Sequence, residues 1–297
     1  MLYMRNQSGV ALLQVLLISL IISLISLQFT FTARDHVQVA GEFDQRITAQ
    51  LLAYSTFNEA IFIQLSETVV KINDGPVDLI EAKDRLNLFG KPISWNDDVS
   101  LVVQDLNGLL PQRYPQHILW ERVLRGLGME EDAVKIYLGR WTDMQDPDIK
   151  SWRRGESEPV ALPSGERYLN GFAQTEHPLR WIFGKEYSAL DTLLSISDVD
   201  ATYDTNILNA PDILIDAVFE PKIAANIKNR RENGTGENIS LNDLLPKELK
   251  VGYIYQHKSP YRRVTVTVDT KNSGWTEEWH VMLAGTQKPP FRILRRK

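Results

Sequence analysis

The chain has 297 residues, 43% of them hydrophobic and 24% charged, proportions of a folded protein rather than a disordered or collagen-like one. It contains no cysteine, which excludes disulfides, thiolate metal sites and thiol nucleophiles. The net charge of −5 argues against whole-surface binding to nucleic acid, which needs a basic field.

The hydrophobicity is concentrated at the N-terminus. No charged residue occurs between Arg5 and Arg34, and the apolar part of that gap, Val10 to Phe31, is 22 residues long. As a helix it spans ~33 Å, enough to cross a hydrocarbon core of ~30 Å. A secretory signal has a shorter apolar core followed by a small-residue cleavage site. Here the stretch runs on into helix-compatible sequence with no proline before Pro76, so a retained anchor continuing outward as one long helix is expected. Arg5 and the terminal amine favour a cytoplasmic N-terminus, with the remainder translocated. Ser19, Ser23 and Ser26 share one face, where small residues let helices approach closely.

Beyond the anchor, Val37, Phe43, Ile47, Leu51, Tyr54, Ile61 and Leu65 recur at mostly helical spacings, which predicts an amphipathic helix from Arg34 to about Val70. Asn73-Asp74-Gly75-Pro76 ends it. Ser100 to Val103 reads as an early strand. The next expected elements are helical: Ile118 to Leu127, Glu130 to Trp141, Ala189 to Ile196, Pro211 to Phe219 and Lys222 to Arg231. Asn209 is the expected N-cap of the fourth, with Pro211 in its first turn. The period then changes. Arg263 to Val268 alternates strictly, Trp279, Val281 and Leu283 alternate with His280 and Met282, and Asp269 to Gly274 supplies turn chemistry. Gly252 to Gln256 and Phe291 to Leu294 are weaker strand candidates. These elements predict an antiparallel sheet assembled from both ends of the sequence, with a helical insertion between.

The five histidines show no metal-ligand spacing, and no H-E-x-x-H, G-x-S-x-G, Walker or G-x-G-x-x-G motif is present. Asp143, Asp146 and Asp148 lie close together, with Glu156, Glu158 and Glu166 downstream. Such carboxylates can hold calcium, which takes six to eight oxygen ligands; equally they can form a solvated loop neutralised by Lys150, Arg153 and Arg154. Lys222 to Gly234 lacks the glycine-rich hairpin of a helix-hairpin-helix DNA element, so no nucleic-acid partner is expected. Lys288, Arg292, Arg295, Arg296 and Lys297 form a basic tail, and the seven tryptophans are assigned to core and interface.

The N-terminal junction is more specific. Arg5-Asn6-Gln7-Ser8-Gly9-Val10-Ala11-Leu12-Leu13-Gln14 is a polar leader ending in glycine, followed at once by the apolar helix. It resembles the prepilin signal of type IV pilins and type II secretion pseudopilins, which implies cleavage by prepilin peptidase between Gly9 and Val10, and methylation of the new terminus. Most members of the family carry glutamate at the fifth mature position; Gln14 departs from that, as does the K-type minor pseudopilin. At a filament tip no subunit lies above to pair such a carboxylate, and an unpaired buried charge costs several kcal/mol. Asp105-Leu106-Asn107-Gly108-Leu109-Leu110 with Leu119-Trp120 and Leu124-Arg125-Gly126-Leu127-Gly128 resembles a K-subunit block. Trp141 to Asp146 resembles its Trp/Asp-rich turn, and Thr205 to Pro211 its Asn/Thr-Ala-Pro helix start, with Leu208 and Asn209 departing from the usual residues.

The resemblance to the type II secretion K-type minor pseudopilins implies an α+β fold, a pilin-like long N-terminal helix packed on an antiparallel sheet with a large inserted α-helical domain. The expected division is a leader at 1–9, an anchor at 10–33, a pilin-like head at 34–114 with 247–297, and an insertion at 115–246. It implies a non-enzymatic subunit that initiates or caps a periplasmic pseudopilus. The implied partners are the minor pseudopilins I and J, the major pseudopilin, prepilin peptidase and the inner membrane. It also implies calcium in the insertion, with Asp143, Asp146, Asp148, Glu156 and Glu166 as candidate ligands; Tyr168 after Glu166 fits the longer glutamate motif better than Gly155-Glu156 does. Two other readings stand beside it: a signal-anchored periplasmic enzyme with a catalytic metal at the acidic cluster, and a minor type IV pilin.

Overall fold

The computed structural model describes residues 8–69, 86–113, 115–152, 162, 165–184, 187–202, 204–233, 241, 245–246, 249, 259–270, 273–285 and 287–297. Helix α1 (Ser8–Val69) is one continuous rod of 62 residues that passes through Gly41 without a break. At 1.5 Å per residue it is ~93 Å long. Its first part is long and apolar enough to cross a membrane and is unburied among the described residues.

The outer part of α1 lies on a five-stranded antiparallel sheet of order β1-β2-β5-β6-β7. The strands are β1 (Ile93–Asn96), β2 (Val99–Asp105), β5 (Tyr261–Thr270), β6 (Ser273–Leu283) and β7 (Phe291–Arg296). The central pairing joins residues over 150 apart in sequence: Val99 opposes Val268 and Val103 opposes Val264. The strict alternation of β5 sends Val264, Val266 and Val268 to the helix side, where they are buried with Leu101, Trp279 and Val281. From α1 that core receives Ala49, Ala53, Phe57, Ala60 and Ile61. The alanines let the rod approach the sheet closely, and the Phe57 ring stacks on Trp279 with centroids 4.5 Å apart.

The helical face predicted from the apolar spacing is not the buried one. Val37, Phe43, Ile47, Leu51 and Tyr54 are exposed, and only Ile61 of that series is fully buried. The sheet accepts the small residues, because a flat valine-rich face leaves little room for larger side chains on the rod.

Between β2 and β5 lies the helical insertion, with its own hydrophobic core. It comprises β3 (Leu110–Pro111), α2 (His117–Gly126), α3 (Glu131–Gln145), α4 (His177–Phe183), α5 (Leu190–Ser195), β4 (Ser197–Asp198), α6 (Asp212–Val218) and α7 (Pro221–Asn233). Strands β3 and β4 form a short parallel ladder, with α2 to α5 as the crossover. Trp120 and Trp141 are fully buried, and their indole N–H groups donate to the carbonyls of Pro111 and Gln112. Tryptophan is thus used as core with its polar edge satisfied.

Five of the expected helices and the β2, β5 and β7 strands occur close to their predicted bounds, whereas β6 begins at Ser273, well before the expected Trp279 and inside the span read as a turn. Helix α4 and strands β1, β3 and β4 were not predicted, being too short to show a period. The expected strand at Gly252 to Gln256 and the helix stop at Asn73 to Pro76 lie outside the described residues. Asn209 is not an N-cap: α6 is preceded by Pro211 without a side-chain cap, and Asn209 sits in a 3-10 turn, Ile207–Asn209. Its amide is committed elsewhere, as described next.

Candidate functional site

Three regions carry the sequence-predicted functional residues. At the N-terminus, Gly9 and Val10 fall in the first turn of α1, and Gln14 is exposed on the apolar rod. On the serine face, Ser23 Oγ donates to the Ser19 carbonyl at 2.8 Å, so the hydroxyl is satisfied within the helix and the surface it leaves is small and smooth. Beyond the anchor, the exposed Phe43, Ile47, Leu51 and Tyr54 follow one another at spacings of four, four and three, with Val39 before them and Phe62 after. Phe43 retains 63% and Leu51 64% of its surface exposed. The stripe lies away from the sheet and continues the apolar surface of the anchor. A contiguous apolar patch of this kind marks a protein–protein contact.

The second region is the joint between sheet and insertion, where two predicted motif blocks meet. Asp105, at the end of β2, is fully buried. Its Oδ1 accepts from the Ser259 hydroxyl at 2.6 Å and the Asn107 N–H at 3.1 Å. Its Oδ2 accepts from the Asn209 amide at 2.6 Å and the Ser259 N–H at 3.2 Å. Arg262 Nη1 lies 3.1 Å from Oδ1. One carboxylate therefore ties β2, the 3-10 turn before α6 and the entry to β5 to a single point. Gln104 adds a bond from Nε2 to the Asn209 carbonyl at 2.8 Å. Gly108 passes so close to Asn209 that a Cβ there would meet its carbonyl oxygen at 2.0 Å. The run Asp105-Leu106-Asn107-Gly108 thus serves the joint, a use that nothing in the local sequence displays.

The acidic residues form the third region. The sequence block Trp141 to Asp146 is not a turn: α3 runs through Gln145. Asp143 is buried on its last turn, with Oδ1 accepting from the Trp152 N–H at 2.7 Å and Oδ2 from the Ser151 hydroxyl at 3.3 Å. Burial holds its pKa above the ordinary value, the two hydrogen bonds oppose that, and the charges of Asp146 and Asp148 reinforce it. The Asp148 carboxylate accepts from the Lys150 N–H, and its carbonyl from the Asn170 amide. Glu166 is exposed, with its carbonyl accepting from the Leu162 N–H at 2.8 Å. Glu156 lies outside the described residues. The structure therefore supplies the crowding of charge that a cation would relieve. Among the described residues it does not gather Asp143, Asp146 and Asp148 at one-ion spacing.

The described residues that do converge were not predicted. One donor atom each of Asp198, Asp200 and His280 lie within 4.8 Å of one another. Arg295 already stands among them, with Nη2 at 3.5 Å from Asp198 and 3.6 Å from Asp200. Arg113 and Arg263 add two further cations. The negative charge is thus balanced without a metal.

No protein-family model and no curated protein sequence matches the chain. Among solved structures, a chain of the GspK-GspI-GspJ complex from the enterotoxigenic Escherichia coli Type 2 Secretion System is similar to it. The match has a TM-score of 0.56 at 12% sequence identity and covers 86% of this chain and 97% of that one. The likeness is one of fold: α+β, with a long N-terminal helix packed on an antiparallel sheet and further helices.

Proposed function

We propose that the chain is a non-enzymatic minor pseudopilin of a type II protein secretion system, of the K kind, acting at the tip of a pseudopilus. The observation that carries this reading is the agreement of two independent features. The leader ends in Gly9 with Gln14 at the fifth mature position, and the fold resembles a chain of a GspK-GspI-GspJ complex over almost its whole length. In this reading prepilin peptidase cuts before Val10, the anchor stays in the inner membrane, and the head projects into the periplasm. The apolar stripe from Phe43 to Tyr54 packs against the helices of minor pseudopilins of the I and J kind, with the major pseudopilin following below. A neutral Gln14 suits a subunit with no neighbour above it, since a glutamate there would be a buried charge without a partner. The bulk of the insertion would stop a further subunit from stacking. The acidic turn takes calcium, which would offset the repulsion around Asp143.

The test is co-expression of the full chain with prepilin peptidase and minor pseudopilins I and J of the same system. The mature chain is expected to begin at Val10 and to co-purify with both partners, while Gly9→Val leaves the longer precursor in the membrane. A wild-type chain that still begins at Met1, or that binds neither partner, would overturn the reading.

A further inference from the structure

Where the insertion meets the outer strands of the sheet, charge is buried rather than exposed. His280, on β6, is fully buried. Its Nδ1 lies 3.1 Å from Oδ2 of Asp200 and its Nε2 3.1 Å from Oε1 of Glu278. Asp198 Oδ1 is 3.8 Å from the same Nδ1. Asp198 ends β4 and Asp200 follows it, so two of these three acids belong to the insertion. Glu278 and His280 belong to the sheet.

The remaining groups come from every neighbouring element. Arg295, on β7, places Nη2 3.0 and 3.1 Å from the two ring nitrogens. Arg263 on β5 lies 3.6 Å from Asp198, and Arg113 in the segment before α2 lies 3.6 Å from Asp200. At the rim, Lys297 is 3.8 Å from Glu278 and 3.2 Å from Glu176, which is itself 3.8 Å from Arg295.

The carboxylates favour a charged ring. An ionised carboxylate only accepts, and each ring nitrogen faces one, so only the imidazolium donates to Asp200 and Glu278 at once, while the Arg295 guanidinium beside both nitrogens opposes that charge. A neutral ring would turn a lone pair toward Asp200 or Glu278, leaving a buried acceptor opposed by another acceptor.

We propose that His280 is a proton-dependent latch between the helical insertion and the sheet, closed while the ring is charged and loosened when it loses its proton. Burial works against the charged ring, but the hydrogen bonds to Asp200 and Glu278 and the charge of Asp198 outweigh it, Arg295 opposing, and the pKa is raised above 6.5. A raised basic group stabilises the fold fully below its unfolded value and stops doing so as pH climbs through its folded value. The acids set the other limit. Burial opposes the charge of Glu278, but the His280 hydrogen bond and the charges of Arg263, His280 and Lys297 pull it down to about 2. Asp200 is also lowered, chiefly by the His280 hydrogen bond. The latch is therefore closed from the ordinary carboxylate range up to pH 6.5 and opens on the alkaline side. It does not depend on the chain being a pseudopilin.

The test is hydrogen exchange of the full chain in detergent between pH 6 and 9, corrected for intrinsic rates. In the wild type, protection of the peptides covering Ser197 to Asp200 and Trp279 to Val281 should fall with pH, up to tenfold for each unit by which the pKa is raised. His280→Gln should flatten that dependence. Should that variant unfold, Asp200→Asn serves instead: it keeps the shape but removes one anion, and should move the transition to lower pH. Protection independent of pH in the wild type, or an unchanged midpoint in Asp200→Asn, would overturn the latch. So would stabilisation by added zinc that is lost in His280→Gln, since it would make the cluster a metal site.

Discussion

Asp105 shows how much one buried side chain can organise. It faces Arg262, whose side chain is itself 5% exposed. Asp105→Ala removes the carboxylate beside that buried guanidinium, which keeps Gln64 and the Ser259 and Tyr261 carbonyls, and it takes away the acceptor of the Asn209 amide. Removing one partner of a buried pair costs about 3–5 kcal/mol. Gly108→Ala should be damaging for another reason, because the contact it meets is backbone oxygen that cannot rotate away. Denaturant midpoints of the full chain in detergent check both, and a loss below about 1 kcal/mol in Asp105→Ala would show that the joint is not the tie described. Asn209 was expected to cap a helix because Asn-Ala-Pro is a common helix start. Instead Asn209 closes a 3-10 turn, and its amide N–H donates to the charged Asp105 carboxylate, which fixes the side chain at the joint.

At the scale of the element, α1 has two faces with different duties. Phe57 fills the sheet core against Trp279, so Phe57→Ala should cost about 3–5 kcal/mol and lower the melting temperature. Leu51→Asp and Tyr54→Ser change exposed positions, and each should move stability by less than about 0.5 kcal/mol. On the proposed function their effect falls on assembly: each should reduce co-purification with the proposed partners I and J while leaving the melting curve of the chain alone. A Leu51→Asp chain that melts like the wild type and assembles equally well would remove the stripe as a docking face. The apolar spacing along α1 revealed the existence of a helix but not which face is inward, since large apolar side chains also line the outward face while the inward one mixes Phe57 and Ile61 with alanines.

Among the described residues a core under α1 and a core inside the insertion are joined at Asp105 and around His280, with a small third cluster of Leu106, Leu109 and Ala201. Calcium bound at the acidic residues ending α3 would act on the insertion core. Ligand binding stabilises by mass action, ~2.7 kcal/mol at a hundred times the dissociation constant. The melting temperature of the full chain should then rise by several degrees in millimolar calcium over chelator, and magnesium should do less because it needs a tighter octahedral site. The variant for this test is Asp146→Asn with Asp148→Asn, which removes charge while sparing the buried bonds of Asp143 to Trp152 and Ser151. No shift with calcium in the wild type, or the same shift in the variant, would assign the carboxylates to a solvated loop.

What the sequence determined by itself is local or compositional. A 22-residue apolar run is long enough for a membrane-crossing helix, and strict alternation at Arg263 to Val268 suits a half-buried strand. Those features follow from hydrogen bonding and burial within a few residues, so they survive without knowledge of the fold. Even the insertion was legible, as helical periods lying between two strand-forming ends. The tertiary structure alone decided where charge is buried. Asp105, Asp198, Asp200 and His280 are single polar residues in ordinary surroundings of sequence, separated by up to 175 positions, and no spacing rule brings them together. Each meets its partners, Asp105 at one joint and the other three at a second, because β2 pairs with β5 and β3 with β4, which fold the two ends of the insertion back onto the sheet. The acidic run at Asp143 was conspicuous by contrast. It is conspicuous because its charges are adjacent in the chain, whereas the paired charges that tie the two cores together become neighbours only through long-range strand pairing.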